Sequence, residues 1–180
     1  ERLLRDAPGG WLEVWEVKTG KLIARFEPKA KAAVFAGARG GIVTIRSLTT
    51  ADNRATGIVS LLDATQGHVI ATFETDAAIQ SLAASPDRRL IAIGSDTDIL
   101  ILDADTLHQK HRFRAHDAPI TALCFHPHTK TIATGSQDHS VKLWDYTTAR
   151  RQQIQLGIDG YPRSLSFSPD AKLLAIDGRT

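Results

Sequence analysis

Apolar residues in this chain come in short runs that are separated by polar turn residues, and no run has the length or period of a helix. Runs of four to six residues bounded by turn chemistry are typical of β-strands. The pattern is clearest in residues 120–156, which predict four strands. They are Ile120–Phe125, Thr131–Thr134, Val141–Trp144 and Arg151–Leu156.

The same order of strands recurs along the chain with a nearly fixed period. A bulky apolar residue followed by an acid closes successive units at Glu16, Asp63, Asp103 and Asp145, with spacings of 47, 40 and 42 residues. Prolines in turns keep the same period at Pro86, Pro127 and Pro169. Self-similarity at such a period indicates a repeat architecture, and short strands without helices predict an antiparallel all-β repeat.

The period divides the chain into three complete units and two partial ones. We expect a partial unit at 1–26, complete units at 27–73, 74–113 and 114–156, and a partial unit at 157–180. Strands are predicted near Ala32–Phe35, Ile42–Arg46, Ile58–Leu62, His68–Phe73, Ile79–Ala84, Leu90–Ile93, Ile99–Leu102 and His108–Phe113. The partial units hold predicted strands at Trp11–Val17, Lys21–Phe26, Arg163–Phe167 and Leu173–Ile176.

Composition narrows the class of protein. The 180 residues are 42% hydrophobic and 23% charged, as in ordinary globular proteins, and a net charge of +2 gives no reason to expect a polyanionic partner. Cys124 is the only cysteine, so an internal disulfide is excluded. Without a membrane-length apolar run or a secretory signal, we expect a cytoplasmic protein with no membrane partner. Because Glu1 is not a methionine, we expect a segment of a longer polypeptide.

The stretch from Ala115 to Asp145 resembles the repeat of the WD-repeat β-propeller family. Ala115-His116 stands where that family has its opening Gly-His pair, and Trp144-Asp145 stands where it has its closing Trp-Asp pair. The resemblance implies a propeller of four-stranded antiparallel blades. It also implies a structural tetrad of His116, Thr134, Asp138 and Trp144. An imidazole placed between a carboxylate and a hydroxyl that meets an indole N–H satisfies every polar group without water.

The other units carry the motif only in part. Asp76 or a neighbour stands at the histidine position of the preceding unit, and Leu102 stands at its tryptophan position. The tetrad is therefore expected in one blade. Trp15 matches the family's tryptophan position and is expected to pack within its blade, whereas Trp11 is expected to be partly exposed.

The count of strands predicts about four blades, and a further strand at Glu1–Arg5 would begin the chain in mid-blade. Rings of this family commonly close with seven blades, which takes roughly 290 residues at this period. We therefore expect the remaining blades to come from the same polypeptide, or from a second copy that completes an eight-bladed ring. Joining the N-terminal and C-terminal strand pairs in a four-bladed ring is the third possibility. An isolated open ring would leave unpaired strand edges.

The sequence contains no convincing catalytic, metal or cofactor site. Six histidines lie between His108 and His139, but the predicted strands scatter them and no ligand spacing of a zinc site is present. His116 and Asp138 with Ser136 or Ser140 could form a hydrolytic triad, yet the structural tetrad explains the same residues more economically. The glycines between Gly37 and Gly41 lack the lysine and hydroxyl of a phosphate-binding loop.

Two surface segments are candidates for binding. The polar stretch Ser47–Gly57 is predicted to be a long loop between the second and third strands of its blade, and Thr50, Asp52, Asn53 and Arg54 are its candidate partner-binding residues. The alternative is a tolerated insertion. A basic run comprises Lys18, Lys21, Arg25, Lys29 and Lys31, but interleaved glutamates favour a solvated blade edge over a nucleic-acid site.

The residues together predict a non-catalytic scaffold. We expect a propeller that binds a protein or peptide partner through its loop face and that needs no cofactor. The alternative is a regulatory or substrate-docking propeller within a larger multidomain enzyme. A small-molecule site in the central channel is a further possibility.

Overall fold

The described part of the chain consists of β-strands joined by turns. The computed structural model describes the backbone of residues 2–7, 11–26 and 30–179, and the side chains of residues 11–25, 30–152 and 156–178. Within these ranges every regular element is a strand, which confirms the all-β prediction. No helix long and apolar enough to cross a membrane occurs among these residues.

The strands form five sheets in chain order. The first sheet comprises β1 (Arg2–Ala7), β2 (Trp11–Glu16) and β3 (Lys21–Phe26). The second comprises β4 (Ala32–Ala36), β5 (Gly41–Thr49), β6 (Ala55–Leu62) and β7 (Val69–Thr75). The third comprises β8 (Ile79–Ala84), β9 (Leu90–Ser95), β10 (Asp98–Asp103) and β11 (Gln109–Arg114). The fourth comprises β12 (Ile120–Phe125), β13 (Thr131–Ser136), β14 (Ser140–Asp145) and β15 (Arg150–Gly157), and the fifth comprises β16 (Tyr161–Phe167) and β17 (Leu174–Arg179).

Each sheet is an antiparallel meander in which consecutive strands are neighbours. Three of the sheets have four strands, which is the blade that the sequence predicts. Short turns with left-handed residues connect the strands. Asp96 and His139 have φ angles of 51° and 62° in the tight turns between the second and third strands of their sheets. Asp and His tolerate this conformation better than most residues do.

The sheets pack face to face in sequence order. One buried cluster joins the second and third sheets through residues such as Val43, Leu61 and Ile93. Another joins the third and fourth sheets through residues such as Ile101 and Trp144. A middle sheet therefore buries both faces, which explains why β9 is buried along nearly its whole length instead of alternating.

Glycines on the second strand of a sheet allow the first strand of the next sheet to approach closely. A Cβ on Gly94 would lie 2.9 Å from the Cβ of Ile120 in the next sheet. A Cβ on Gly135 would lie 2.5 Å from the ring of Pro162 in the sheet after that. Both glycines occupy the same place in their sheets, opposite Ser81 and Ala122. Both sheets thus have a glycine at the position where the next sheet makes contact.

The prediction of a long loop at Ser47–Gly57 is wrong. The pairing of β5 with β6 continues through Ser47 opposite Gly57 to Thr49 opposite Ala55, and only residues 50–54 form the turn. Threonines on both strands explain the difference, since β-branched residues favour extended structure even where the segment is polar. We call residues 47–57 the hairpin arm.

The described strands form an open ring. β1 pairs along the edge of β2 that faces away from β3. Union of the first sheet with β16 and β17 would therefore give five strands instead of the four seen in the complete sheets. The four-bladed closure considered from the sequence does not fit this arrangement.

Candidate functional site

The connections between strands divide the molecule into two ends. Turns between the second and third strands of each sheet lie at one end together with the connections between consecutive sheets, and we call this the upper end. Turns between the first and second strands and between the third and fourth lie at the lower end. The hairpin arm and His116 are both at the upper end.

The four predicted tetrad residues are brought together between the third and fourth sheets. The Nδ1 atom of His116 lies 2.8 Å from Asp138 Oδ2, and its Nε2 atom lies 2.8 Å from Thr134 Oγ1. The indole N–H of Trp144 donates to Thr134 Oγ1 at 3.1 Å. The side chain of His116 is fully buried. Its position follows from β13 and β14, which carry threonine and tryptophan toward the loop that precedes β12.

Burial and hydrogen bonding fix the charges in this network. Burial lowers the pKa of His116, although the carboxylate of Asp138 opposes the shift. For Asp138, burial disfavours the ionised form, but hydrogen bonds from Ser140 and His116 outweigh it and hold its pKa well below the usual range. A neutral imidazole beside a carboxylate donates from Nδ1–H to Asp138 and accepts the Thr134 hydroxyl proton at Nε2. Every polar group of the tetrad then has a partner.

Two further side chains belong to the network and were not predicted as members. Lys142 reaches in from β14, with Nζ at 3.4 Å from Asp138 Oδ2 and 3.3 Å from the Ala115 carbonyl oxygen. The hydroxyl of Ser140 donates to Asp138 Oδ1 at 2.6 Å. Strand alternation is the signal that could have found both, because residues 140, 142 and 144 of one strand share a face.

The network does not have the arrangement of a hydrolytic triad. In such a triad the serine approaches the imidazole nitrogen that the aspartate leaves free. Here Thr134 occupies Nε2, and Ser140 lies 3.4 Å from Nδ1, the nitrogen already bonded to Asp138. Ser136 instead donates to the Ala118 carbonyl oxygen at 2.8 Å. Both ring nitrogens of His116 are engaged, so the imidazole has no nitrogen left for a substrate.

The third sheet replaces the polar network with apolar packing. Ile93, Leu100 and Leu102 stand where the fourth sheet has Thr134, Lys142 and Trp144, and all three are buried. Asp76, at the histidine position, pairs instead with Arg112 across 3.4 Å. Well-packed apolar residues can substitute for a buried charged network at little or no cost in stability. The imperfect repeats are thus an alternative way to fill the same space.

The two tryptophans of the first sheet lie on one face of β2, opposite the face that carries the buried Leu12 and Val14. Trp15 is half-buried, and its indole N–H donates to Glu13 Oε2 at 3.0 Å. Trp11 is also half-buried and lies under the guanidinium of Arg25 at 4.8 Å from the ring centroid. The indole of Trp15 therefore bonds a side chain of its own strand, whereas the indole of Trp144 bonds Thr134 on the neighbouring strand.

The tip of the hairpin arm is polar, exposed and internally braced. The Thr50 amide donates to the Arg54 carbonyl oxygen at 2.8 Å, and the Thr50 hydroxyl contacts Asp52. Arg54 Nε lies 3.3 Å from Asp52 Oδ2, although both side chains are mostly exposed. Asn53 adopts a left-handed φ of 63°. The four predicted binding residues thus form one compact turn.

Histidines and basic residues are dispersed over the molecule. His126 and His128 lie in a lower-end turn, whereas His116 and His139 lie at the upper end. Among the described side chains, no group of three or more metal-ligating residues comes together. Of the predicted basic run, Arg25 contacts Glu13 at 3.5 Å, Lys18, Lys21 and Lys31 are exposed, and Lys29 lies outside the described residues.

Acid should destabilise the fold through His116. The ordinary pKa of histidine is 6.5, and the folded value is lower, so between the two the unfolded chain binds more protons. Stability is then complete above about pH 6.5 and falls as the pH drops below it; Asp138 adds a further loss below its ordinary 3.8. We expect the Tm of the wild type to fall more steeply from pH 7.5 to 5 than that of His116→Asn. Parallel Tm curves would show that His116 is not held neutral.

Comparison with known proteins identifies the repeats. Residues 64–103 and 107–145 match the WD40 family model, described as "WD domain, G-beta repeat". Each matched stretch contains the fourth strand of one sheet and the first three strands of the next. The repeat in sequence is therefore offset by one strand from the sheet in space.

Relatives with similar sequences include three from animals and fungi. The "Protein LST8 homolog" of Drosophila melanogaster is 41% identical over 59 residues, which is 33% of this chain and 19% of that protein. The "Target of rapamycin complex subunit wat1" of Schizosaccharomyces pombe is 33% identical over 72 residues, which is 39% of this chain and 23% of that protein. "Protein HIR1" of Yarrowia lipolytica is 28% identical over 119 residues, which is 58% of this chain and 11% of that protein.

The chain spans less than a quarter of the length of each of these relatives. The similarity therefore concerns the repeat and not the whole protein. Two stretches that match the repeat, three complete four-stranded antiparallel sheets and the His116 network all point to one architecture. Residues 64–103 and 107–145 of this chain are therefore WD40 repeats.

Proposed function

We propose that this chain is a non-catalytic platform that binds a protein or peptide partner and that the tip of the hairpin arm is its principal contact. The arm is the observation that carries the proposal. Strands β5 and β6 have nine and eight residues, whereas β9, β10, β13 and β14 have six. The extra length extends the arm at the upper end. Loops and hairpins on a rigid scaffold are the usual place for recognition.

The base of the arm is fixed, which favours recognition by a preorganised surface. Ser47 Oγ donates to the Ile79 carbonyl oxygen at 3.0 Å and accepts the Ile79 amide at 3.1 Å. These two bonds tie the arm to the next sheet. Leu48 is partly exposed beside the polar tip. A rigid hairpin with one apolar and several polar groups pays little entropy on binding.

The remaining polar chemistry supports a role without catalysis. The side chains of His116, Asp138 and Ser140 hydrogen-bond one another and so stabilise a blade. The fungal relative wat1 is by its name a subunit of a complex, and we infer the same kind of role for this chain. We further infer that 27–73, 74–113 and 114–156 act as complete blades and that the rest of the ring comes from the same polypeptide or a second copy.

The proposal is tested by exchanging the two charges of the arm. Asp52→Arg combined with Arg54→Asp keeps the ion pair but reverses its direction. In the intact protein, we expect co-purification of the bound partner to fall at least about tenfold, with an unchanged Tm, because charge patterns set partner choice. Partner recovery is measured by quantitative mass spectrometry.

A matched exchange serves as the control. Arg114 and Asp117 form another exposed ion pair at the upper end, at 3.1 Å. Arg114→Asp combined with Asp117→Arg should retain the partner. Retention of the partner by the arm variant, or equal loss in both variants, would contradict the arm as principal contact.

A further inference from the structure

A cleft of about 460 Å³ opens at the lower end between the second and third sheets. Ala36, Leu61 and Ile70 of the second sheet line it, together with Arg39, Asp105 and Thr106 from turns. We call it the lower cleft. Both sheets that form it have all four strands, so the cleft is a property of complete blades. It lies at the opposite end from the hairpin arm.

The walls of the lower cleft are held by hydrogen bonds between turns of the two sheets. The Gly37 amide donates to the Arg88 carbonyl oxygen at 2.7 Å, and the Ala38 amide donates to Asp105 Oδ1 at 2.9 Å. Gly37 has a φ of +78°, and a Cβ there would lie 2.6 Å from Asp105 Oδ1. Only glycine permits this approach. The cleft is therefore preformed.

The floor of the lower cleft is aliphatic. Ala36 and Leu61 are buried, whereas Ile70 is 54% exposed. Ile70 is the extra residue of a β-bulge, because Leu61 pairs with Ala71 and Leu62 pairs with Val69. The bulge directs an isoleucine outward at the edge of a sheet, where the apolar side chain gains by being covered.

The third sheet has an equivalent β-bulge, but its extra residue is charged. There the extra residue is Lys110, which pairs with Asp103 at 3.1 Å. A charged residue at an exposed sheet edge is the common protection against unwanted contacts. The second sheet has an aliphatic residue in that place, next to a preformed cleft.

Arg39 lines the lower cleft, and Arg88 lies in the adjoining turn. Arg39 and Arg88 are both exposed, and within the described ranges neither forms an ion pair. The Gly37–Arg88 bond brings the turns that carry these two arginines together. Asp105 is the one carboxylate among the described lining residues, and it keeps its negative charge while accepting the Ala38 amide. The two exposed arginines outnumber this carboxylate, so their charge complements a ligand with negative charge.

We propose that the lower cleft is a second docking site, which binds a peptide segment of a partner that carries an aliphatic side chain between acidic residues. The aliphatic side chain packs against Leu61 and Ile70, and the acidic residues meet Arg39 and Arg88. The volume falls within the range of preformed ligand sites, which are mainly apolar with a few polar groups that fix orientation. The site is independent of the hairpin arm and lets one platform hold two partner segments.

The test uses a synthetic acidic peptide with a central photoreactive leucine analogue and the intact protein. We expect photo-crosslinks at Ile70 and at the neighbouring Leu61. Ile70→Lys should abolish crosslinking at these residues, and Arg39→Glu should weaken binding about tenfold, since it turns an attractive charge pair into a repulsive one. Both residues are exposed, so the fold should tolerate the changes.

Control variants and a control peptide test whether binding is specific to the lower cleft. Val69 is 55% exposed on the same strand but does not line the cleft, so Val69→Lys should bind normally. The exchange of Asp52 and Arg54 should also leave peptide binding unchanged, which separates this site from the arm. A peptide with lysines in place of its acids should not bind. Equal binding of the acidic and basic peptides, or crosslinks spread away from Ile70, would overturn the proposal.

Discussion

Replacing His116 with alanine is expected to lower the free energy of unfolding by about 3 kcal/mol, the scale of breaking a buried charged hydrogen-bond network. The substitution removes the 2.8 Å contacts to Asp138 and Thr134 and leaves a cavity between two sheets. Asp138 retains Ser140 and Lys142 as partners, so the loss stays below that of an orphaned buried charge. Chemical denaturation monitored by tryptophan fluorescence measures the change.

An exposed histidine supplies the control for this substitution. His108 lies at the surface, and His108→Ala should change stability by no more than about 0.5 kcal/mol. A His116→Ala protein as stable as the wild type, but without partner binding, would show that His116 recognises the partner and does not brace the blade.

Replacing Gly135 with alanine is expected to lower the free energy of unfolding by about 2 kcal/mol, as overpacking of a dense core does. The added Cβ would lie 2.5 Å from both Cβ and Cγ of Pro162. A proline ring has no rotamer that moves it aside, so the two sheets must separate. Thermal or chemical unfolding of the two proteins in parallel checks the result.

Gly157 provides a glycine without neighbours. A Cβ at Gly157 would meet nothing within 4 Å, and Gly157→Ala should therefore be neutral or slightly stabilising. Equal stability of the Gly135 and Gly157 variants would mean that consecutive sheets do not approach as closely as this structure shows.

The strands themselves are largely predictable from the order of apolar runs. The run Ile120–Phe125 coincides with β12, and Lys21–Phe26 coincides with β3. Most other predicted strands agree within one to three residues. Strands can be predicted in this way because buried strands need apolar residues. Turns instead need polar residues or residues that adopt a left-handed backbone conformation.

The strands of the hairpin arm could not be predicted from the order of apolar runs. Polarity indicates exposure, but an exposed segment can still be a paired strand when its backbone bonds are satisfied across a hairpin. The register from Ser47–Gly57 to Thr49–Ala55 does this. Burial-based prediction therefore ended the strands several residues too early.

The tetrad could be predicted from a motif, but its surroundings could not. Lys142 looks like a surface charge in the sequence, and only stacking of the third sheet on the fourth buries it beside Asp138. The lower cleft depends likewise on contacts between residues such as Ala38 and Asp105, which are 67 positions apart. Distances of this kind follow from how sheets stack, which no local pattern encodes.

A structure of the intact protein bound to its physiological partner tests the central claim most directly. We predict that the partner contacts Thr50, Asp52, Asn53 and Arg54 at the tip of the hairpin arm, with the His116 network unchanged beneath it. A complex in which the tip remains in solvent, or in which a substrate reaches His116, would contradict a non-catalytic platform that binds through this arm.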